Sequence, residues 1–175
     1  GIEDAAPLVA KFYRPGRWSD EQIAEEHAFT AEMAADELPV VTPLAIDGGS
    51  LFSHAGFRFA LFPRQGGRAP EFDRAETLEW MGRLMARIHQ VGARQAFRQR
   101  ETLDLASFGI RSRDWLLQHA VIPADLEPVW AGVAAQALDG VAEALSRAGP
   151  VQQVRLHGDC HAGNVLWTGD GPHFV

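Results

Sequence analysis

Apolar and polar positions divide the 175 residues into a strand-rich first part and a helical remainder. Leu8-Val9-Ala10-Lys11-Phe12-Tyr13 is an apolar run of strand length with a lysine inside it. Pro15-Gly16 breaks it. Ser19, with Gln22 three residues on, forms a capping box that opens a helix expected to reach about Asp36. Ile23, Phe29 and Met33 mark one face of that helix, and Glu26 falls on the same face. Glu25 is rotated away by about 100°. A carboxylate on a buried face needs a cationic partner, and Lys11 is the natural one. Glu26 is therefore the first choice for that pair and Glu25 the second.

Residues 39–41 and 43–46 read as strand segments of a sheet, leading into a turn at 47–50 whose residues tolerate positive φ. Residues 51–54 and 57–62 read as returning strands, and 63–70, rich in Gly, Pro and Arg, as a linker. A helix is expected from 74 to about 91, with Leu78, Met81, Leu84, Met85 and Ile88 as its core stripe. A short helix at 114–119 and a long amphipathic one over 123–147 follow. The long one carries Leu126, Val129, Trp130, Val133, Ala137, Val141 and Leu145, and Gly149-Pro150 ends it. Residues 155–167 read as strand, polar loop, strand, with a further strand at 172–175. The class is α+β, and the expected division is 1–62, a linker at 63–70, and 71–175.

Charge and composition narrow the function. A net charge of −7 argues against a nucleic-acid surface spread over the chain. No apolar run approaches the ~20 residues of a membrane span, and no charged-then-apolar signal pattern opens the sequence. Cys160 is the only cysteine, so no internal disulfide forms, which fits a reducing cytoplasm. A cytoplasmic monomer without nucleic-acid or membrane partners is the expectation. All 16 basic residues except Lys11 are arginines. In a chain so biased, the one lysine marks a place where a compact ammonium on a flexible stem is wanted.

The chemistry concentrates in Arg155-Leu156-His157-Gly158-Asp159-Cys160-His161-Ala162-Gly163-Asn164-Val165-Leu166-Trp167. Asp159 stands two residues after His157 and five before Asn164, the H-x-D-x-x-x-x-N spacing of a kinase catalytic loop. In such a loop the Asp accepts a hydroxyl proton and the Asn offers its amide oxygen to a hard cation. Gly158 and Gly163 would permit turns that other residues resist. His157 reads as a brace rather than a titrating group. Two other readings compete. His157, Asp159 and His161 are all zinc-ligand types, and Cys160 beside His161 has the elements of a nucleophile and base.

His157-Gly158-Asp159 followed by Asn164 resembles the aminoglycoside phosphotransferase and choline kinase group of protein-kinase-like enzymes. The resemblance runs along essentially the whole chain, with Val9-Ala10-Lys11-Phe12-Tyr13-Arg14-Pro15-Gly16-Arg17-Trp18 as its second part. It implies a two-lobe kinase fold, with a small antiparallel sheet and one helix before the linker and a helical lobe after it. It implies ATP and Mg2+ as cofactors, Asp159 as catalytic base, Asn164 as metal ligand, and Lys11 on the ATP phosphates, oriented by Glu26. The linker would hold the adenine, and His89 resembles a structural histidine of the group. The longer string around the loop is similar to a bacterial cytoplasmic branch that phosphorylates protein serine and threonine. A small alcohol such as an aminoglycoside, choline, homoserine or a sugar is the alternative acceptor, and a non-catalytic kinase-like binding module is the second alternative. No glycine-rich phosphate loop precedes Lys11, and the second metal-binding Asp of the group would follow Val175. The expectation is a fragment of a longer kinase, cut at both ends, with apolar surface exposed.

Overall fold

Helix α1 (Asp20–Ala35) begins where its cap dictates. The Gln22 N–H donates to Ser19 Oγ, and the Ser19 N–H donates to Gln22 Oε1. Ile23, Phe29 and Met33 are buried, as their spacing requires, and His27 is buried with them. The structure, a computed structural model, describes residues 6–175; the expectations for residues 1–5 lie outside it.

Strands β1 (Leu8–Tyr13), β2 (Phe52–His54) and β3 (Phe57–Pro63) form an antiparallel sheet in the order β1-β3-β2. The register pairs Lys11 with Ala60 and Tyr13 with Arg58. Alternation sends Lys11 and Tyr13 to one face and Phe12 to the other. Tyr13 is buried, whereas Phe12 is exposed, with its ring 5.5 Å from that of Phe59. Asp47 and Gly48, at φ 51° and 82°, make the tight turn foreseen there, and Ala55 and Gly56 repeat it between β2 and β3.

Residues 39–46 differ from expectation. Val40 makes a single parallel bridge to Phe174, and Leu44 donates one backbone bond to Leu61 O at 2.8 Å. Pro39 and Pro43 have no N–H to give, so a regular ladder cannot run through this stretch. The strand expected at 155–156 is also missing. Arg155 N–H instead donates to Gly92 O, at the end of a helix that offers no strand partner.

That helix, α2 (Ala75–Gly92), buries Thr77, Met81, Leu84, Ile88 and Val91, while Met85 is partly buried. Leu78, expected in the core, is exposed, because the buried stripe runs through Thr77 instead. The hairpin of β4 (Val165–Thr168) and β5 (Gly171–Phe174) completes the core. Phe29 and Met33 of α1, Leu84 and Ile88 of α2, and Val165 and Phe174 of the hairpin form one cluster. The hairpin is also tied by backbone bonds, from Phe174 N–H to Pro39 O and from Trp167 N–H to Arg68 O.

By compactness the chain divides into Gly1–Gln99 with Gln153–Val175, and Arg100–Gln152. The boundary at 63–70 is not where compactness divides the chain, and a division into functional lobes there remains a proposal. The second unit holds a π-helical segment (Leu105–Ile110), α3 (Arg111–Gln118) and α4 (Glu127–Ala148). Helix α4 starts later than its pattern suggests because residues 123–126 form a turn closed on Pro123 O. None of its residues is buried, and Val129 is 70% exposed. Within this unit only short helical segments are present to cover it. Among the described residues no helix is long and apolar enough to cross a membrane.

Two glycines of α2 give a direct test of the packing. A Cβ at Gly92 would lie 2.1 Å from Arg155 O, whereas one at Gly82 meets nothing within 4 Å. Gly92→Ala is expected to destabilise by about 1–3 kcal/mol or more. Gly82→Ala is expected to stabilise by up to about 1 kcal/mol. Urea unfolding midpoints of the two variants check the contrast.

Candidate active site

Lys11 projects from β1 towards α1, where its Nζ donates to Glu26 Oε1 at 3.0 Å. The side chains are 50% and 32% exposed, so the pair is half-open to solvent and reachable by a ligand. The ammonium also lies 5.3 Å from the Tyr13 ring centroid. Glu25, the second choice for the pair, is turned away and accepts the backbone N–H groups of Arg98 and Gln99 at 2.6 and 2.8 Å. One residue of helical rotation separates these two fates.

The loop after Arg155 folds on itself. Asp159 N–H donates to His157 Nδ1 at 3.3 Å, and His161 N–H donates to Asp159 O at 3.0 Å. Asn164 Nδ2 donates to Asp159 O at 2.8 Å and to Asp159 Oδ2 at 3.1 Å. The five-residue spacing read from the sequence thus becomes a direct side-chain contact. Both bonds use the amide nitrogen, which leaves Asn164 Oδ1 without a donor among the described residues. The Asp159 side chain is 75% exposed. A carboxylate and a free amide oxygen held together suit a hard divalent cation, so these residues fit the metal that the sequence implies. Gly158 adopts φ 82°, as a loop glycine can. Gly163 is small for another reason: a Cβ there would lie 2.8 Å from the His161 ring.

Burial holds the His157 imidazole below its ordinary pKa, against the pull of Asp159 and Glu26. Lys11 also acts on it, so His157 stands within electrostatic reach of both halves of the site. A neutral ring that accepts a backbone N–H and lies 5.5 Å from the Phe174 ring is a brace. The zinc and cysteine readings gain nothing from the geometry. Among the described residues no three His, Cys, Asp or Glu side chains converge as a metal site. Burial, then Asp159, pushes the Cys160 thiol up, which opposes activation.

Sequence reasoning missed three residues around this site. His27 is buried, with Nε2 2.8 Å from Tyr13 Oη and Nδ1 2.8 Å from Ser50 Oγ. Arg155, only 3% exposed, forks onto Glu32 at 3.0 and 2.6 Å and also donates to Val91 O at 3.1 Å. Its guanidinium lies 4.4 Å from the Phe29 ring centroid. An arginine between Val154 and Leu156 was the available signal, and it reads equally well as a surface residue.

A family model described as the phosphotransferase enzyme family matches residues 1–175. Stress response kinase A of Salmonella typhi and of Escherichia coli strain K12 are each 42% identical over 173 residues. So is a serine/threonine protein kinase RdoA of Salmonella typhimurium strain LT2. These matches cover 99% of this chain and 52% of each relative, so the chain spans about half the length of the curated relatives it matches. Among solved structures, an amicoumacin kinase in complex with AMP-PNP, Ca2+ and Ami aligns at TM-score 0.77 and 17% identity. It covers 99% of this chain and 52% of its own. An AMP-bound spectinomycin phosphotransferase aligns at 0.58 and 14%, covering 98% and 58%. These likenesses show the fold: α+β, of the kinase-like type.

Three histidines make the stability pH-dependent. His27, His157 and His173 all have pKa values lowered by burial from 6.5. The unfolded chain therefore takes up protons first as pH falls below 6.5, and stability falls with it. The unfolding temperature is expected to drop between pH 7.5 and 5.5, and to drop less in His157→Asn. An equal drop in that variant would remove His157 from the account.

Proposed function

The chain belongs to the phosphotransferase enzyme family, and on that premise we propose that the protein containing it transfers the γ-phosphoryl group of ATP to a hydroxyl. One observation carries the reading: Lys11, the single lysine, sits 3.0 Å from Glu26 across fifteen residues of sequence. A structural surface lysine has no need of that partner, whereas a phosphate-holding lysine does. Bound ATP and Mg2+ would supply the transferable group and the charge that neutralises it.

The chain's own residues divide the rest. Lys11 holds the ATP phosphates, and Glu26 fixes the direction of its ammonium. Asn164 offers Oδ1 to the cation while its Nδ2 keeps Asp159 in place. Asp159 orients the acceptor hydroxyl and takes its proton as the oxygen attacks phosphorus. His157 stays neutral and braces the turn. The site is thus positioning plus electrostatics, with little covalent chemistry for the protein to perform. The lobe division at 63–70, with the linker holding adenine, belongs to the same proposal.

The acceptor is a protein serine or threonine in this proposal, because one relative 42% identical to this chain is named a serine/threonine protein kinase and two others at the same identity are named stress response kinases. A small alcohol is the second reading, favoured by structural neighbours named for kinases of amicoumacin and spectinomycin. A cytoplasmic setting and a monomeric state complete the proposal.

The test uses the full-length protein with labelled ATP and Mg2+, offering a generic protein, the protein itself and a panel of small alcohols. Asp159→Ala is expected to lower transfer by about 10²–10⁴-fold with the fold intact. Lys11→Arg is expected to fail as well, because a planar guanidinium replaces a compact ammonium poorly. Label on a small alcohol alone would move the function to the second reading. Binding of ATP with no transfer would leave a binding module. Wild-type turnover in Asp159→Ala would remove Asp159 from the chemistry.

A further inference from the structure

Helix α1 carries a second stripe that the site does not use. Gln22, Glu25, Phe29, Glu32 and Asp36 recur at alternating steps of three and four, so they line one side of the helix and its end. The segment following α2 runs along them in the opposite sense. Gln22 donates to Gln99 O, Glu25 accepts from Arg98 and Gln99, and Phe29 meets Phe97 edge-on at 5.6 Å. Glu32 accepts from Gln95 at 2.7 Å, and Asp36 accepts both arms of Arg94. One contact in this row differs in kind. Glu32 also takes the buried fork of Arg155, and Arg155 is the last anchored residue before the loop.

Residues 156–163 are exposed or half-exposed, and their hydrogen bonds stay within residues 157–165, the last of them from the Val165 N–H to Ala162 O. On the far side the loop is held by Val165 in the core and by the Val175 N–H on Asn164 O. On the near side it is held by Arg155, through Glu32, Val91 O and Gly92 O. Glu26 and Glu32 lie on one rigid helix, six residues apart, and Arg155 precedes Asp159 by four. We propose that the Glu32–Arg155 ion pair is a positioning element that registers the Asp159 loop against the Lys11–Glu26 pair. It acts through α1 and touches neither nucleotide nor acceptor. The inference rests on the phosphotransferase reading for its effect on rate, but not for its effect on the loop.

The experiment compares Glu32→Gln with Asp36→Asn in the full-length protein. Each removes one carboxylate–arginine pair on α1, but only the first reaches the loop. Hydrogen exchange of residues 156–164, the dissociation constant for ATP with Mg2+, and kcat are measured for both. Glu32→Gln is expected to speed exchange in the loop and lower kcat on the order of tenfold or more, since small misplacements of reacting groups are costly. Its ATP dissociation constant should stay within about twofold, the signature of an interaction used in transfer rather than binding. Asp36→Asn, which breaks a solvent-exposed pair, should lose less thermal stability, with loop exchange and kcat unchanged. Arg155→Lys keeps the charge and gives up the fork. It should show the same pattern, and it serves if Glu32→Gln does not fold. Loop exchange that stays at the wild-type level in Glu32→Gln, or rises equally in both variants, overturns the positioning role. If the unmutated protein transfers no phosphate, the functional reading falls, and the exchange comparison alone decides this one.

Discussion

Arg155 is a full charge removed from water, and that removal must be compensated locally. A buried guanidinium without partners costs several kcal/mol, and breaking a buried pair from one side typically costs about 3–5 kcal/mol. Here the compensation comes from three groups on two helices: the Glu32 carboxylate and the Phe29 ring face on α1, and the Val91 carbonyl at the end of α2. None of these can move far without exposing or orphaning the charge. The same arginine's backbone closes onto Gly92, where even a methyl group would clash. A helix, the end of a second helix and the start of the polar loop are thereby fixed to one another at a single point.

From that point the site is assembled by short local devices. The capping box sets where α1 begins, and so which of two adjacent glutamates faces β1. The alternation of β1 delivers Lys11 to that face. The Asp159–Asn164 contact closes the loop, and the β4–β5 hairpin holds its far end by burying Val165 and Phe174. Each device is weak by itself. Their agreement places a cation, its carboxylate partner and a carboxylate–amide pair within one compact unit. The second unit is built differently, around a π-helical segment and a long helix with no buried residue.

Much of this was legible beforehand, for identifiable reasons. Ser19 with Gln22, Ile23 with Phe29 and Met33, and Asp47 with Gly48 are local codes, decided by hydrogen bonds and φ preferences within a few residues. The Lys11–Glu26 pair was legible because Glu26 shares the Ile23 face of α1 and Lys11 is the one cation of β1, although the pair itself stays half-open to solvent. Misreadings arose where the deciding partner was distant. Leu78 fits the α2 period but falls outside the buried stripe. Residues 43–46 look like a strand until the prolines are matched against an actual ladder. The apolar stripe of α4 announces a buried face, but burial depends on a neighbour that no periodicity specifies.

The sequence by itself determined most of the elements, the α+β class and the order of the chemically capable residues, because these depend on torsional preference, period and spacing along the chain. Only the tertiary structure decided that Arg155 would be buried, that Glu32 would hold it, and that His27 would sit between Tyr13 and Ser50. An arginine, a glutamate and a histidine are each at home on a surface. What takes them inside is the set of partners that desolvation demands, and those partners lie 123 residues away for Arg155 and 14 and 23 for His27.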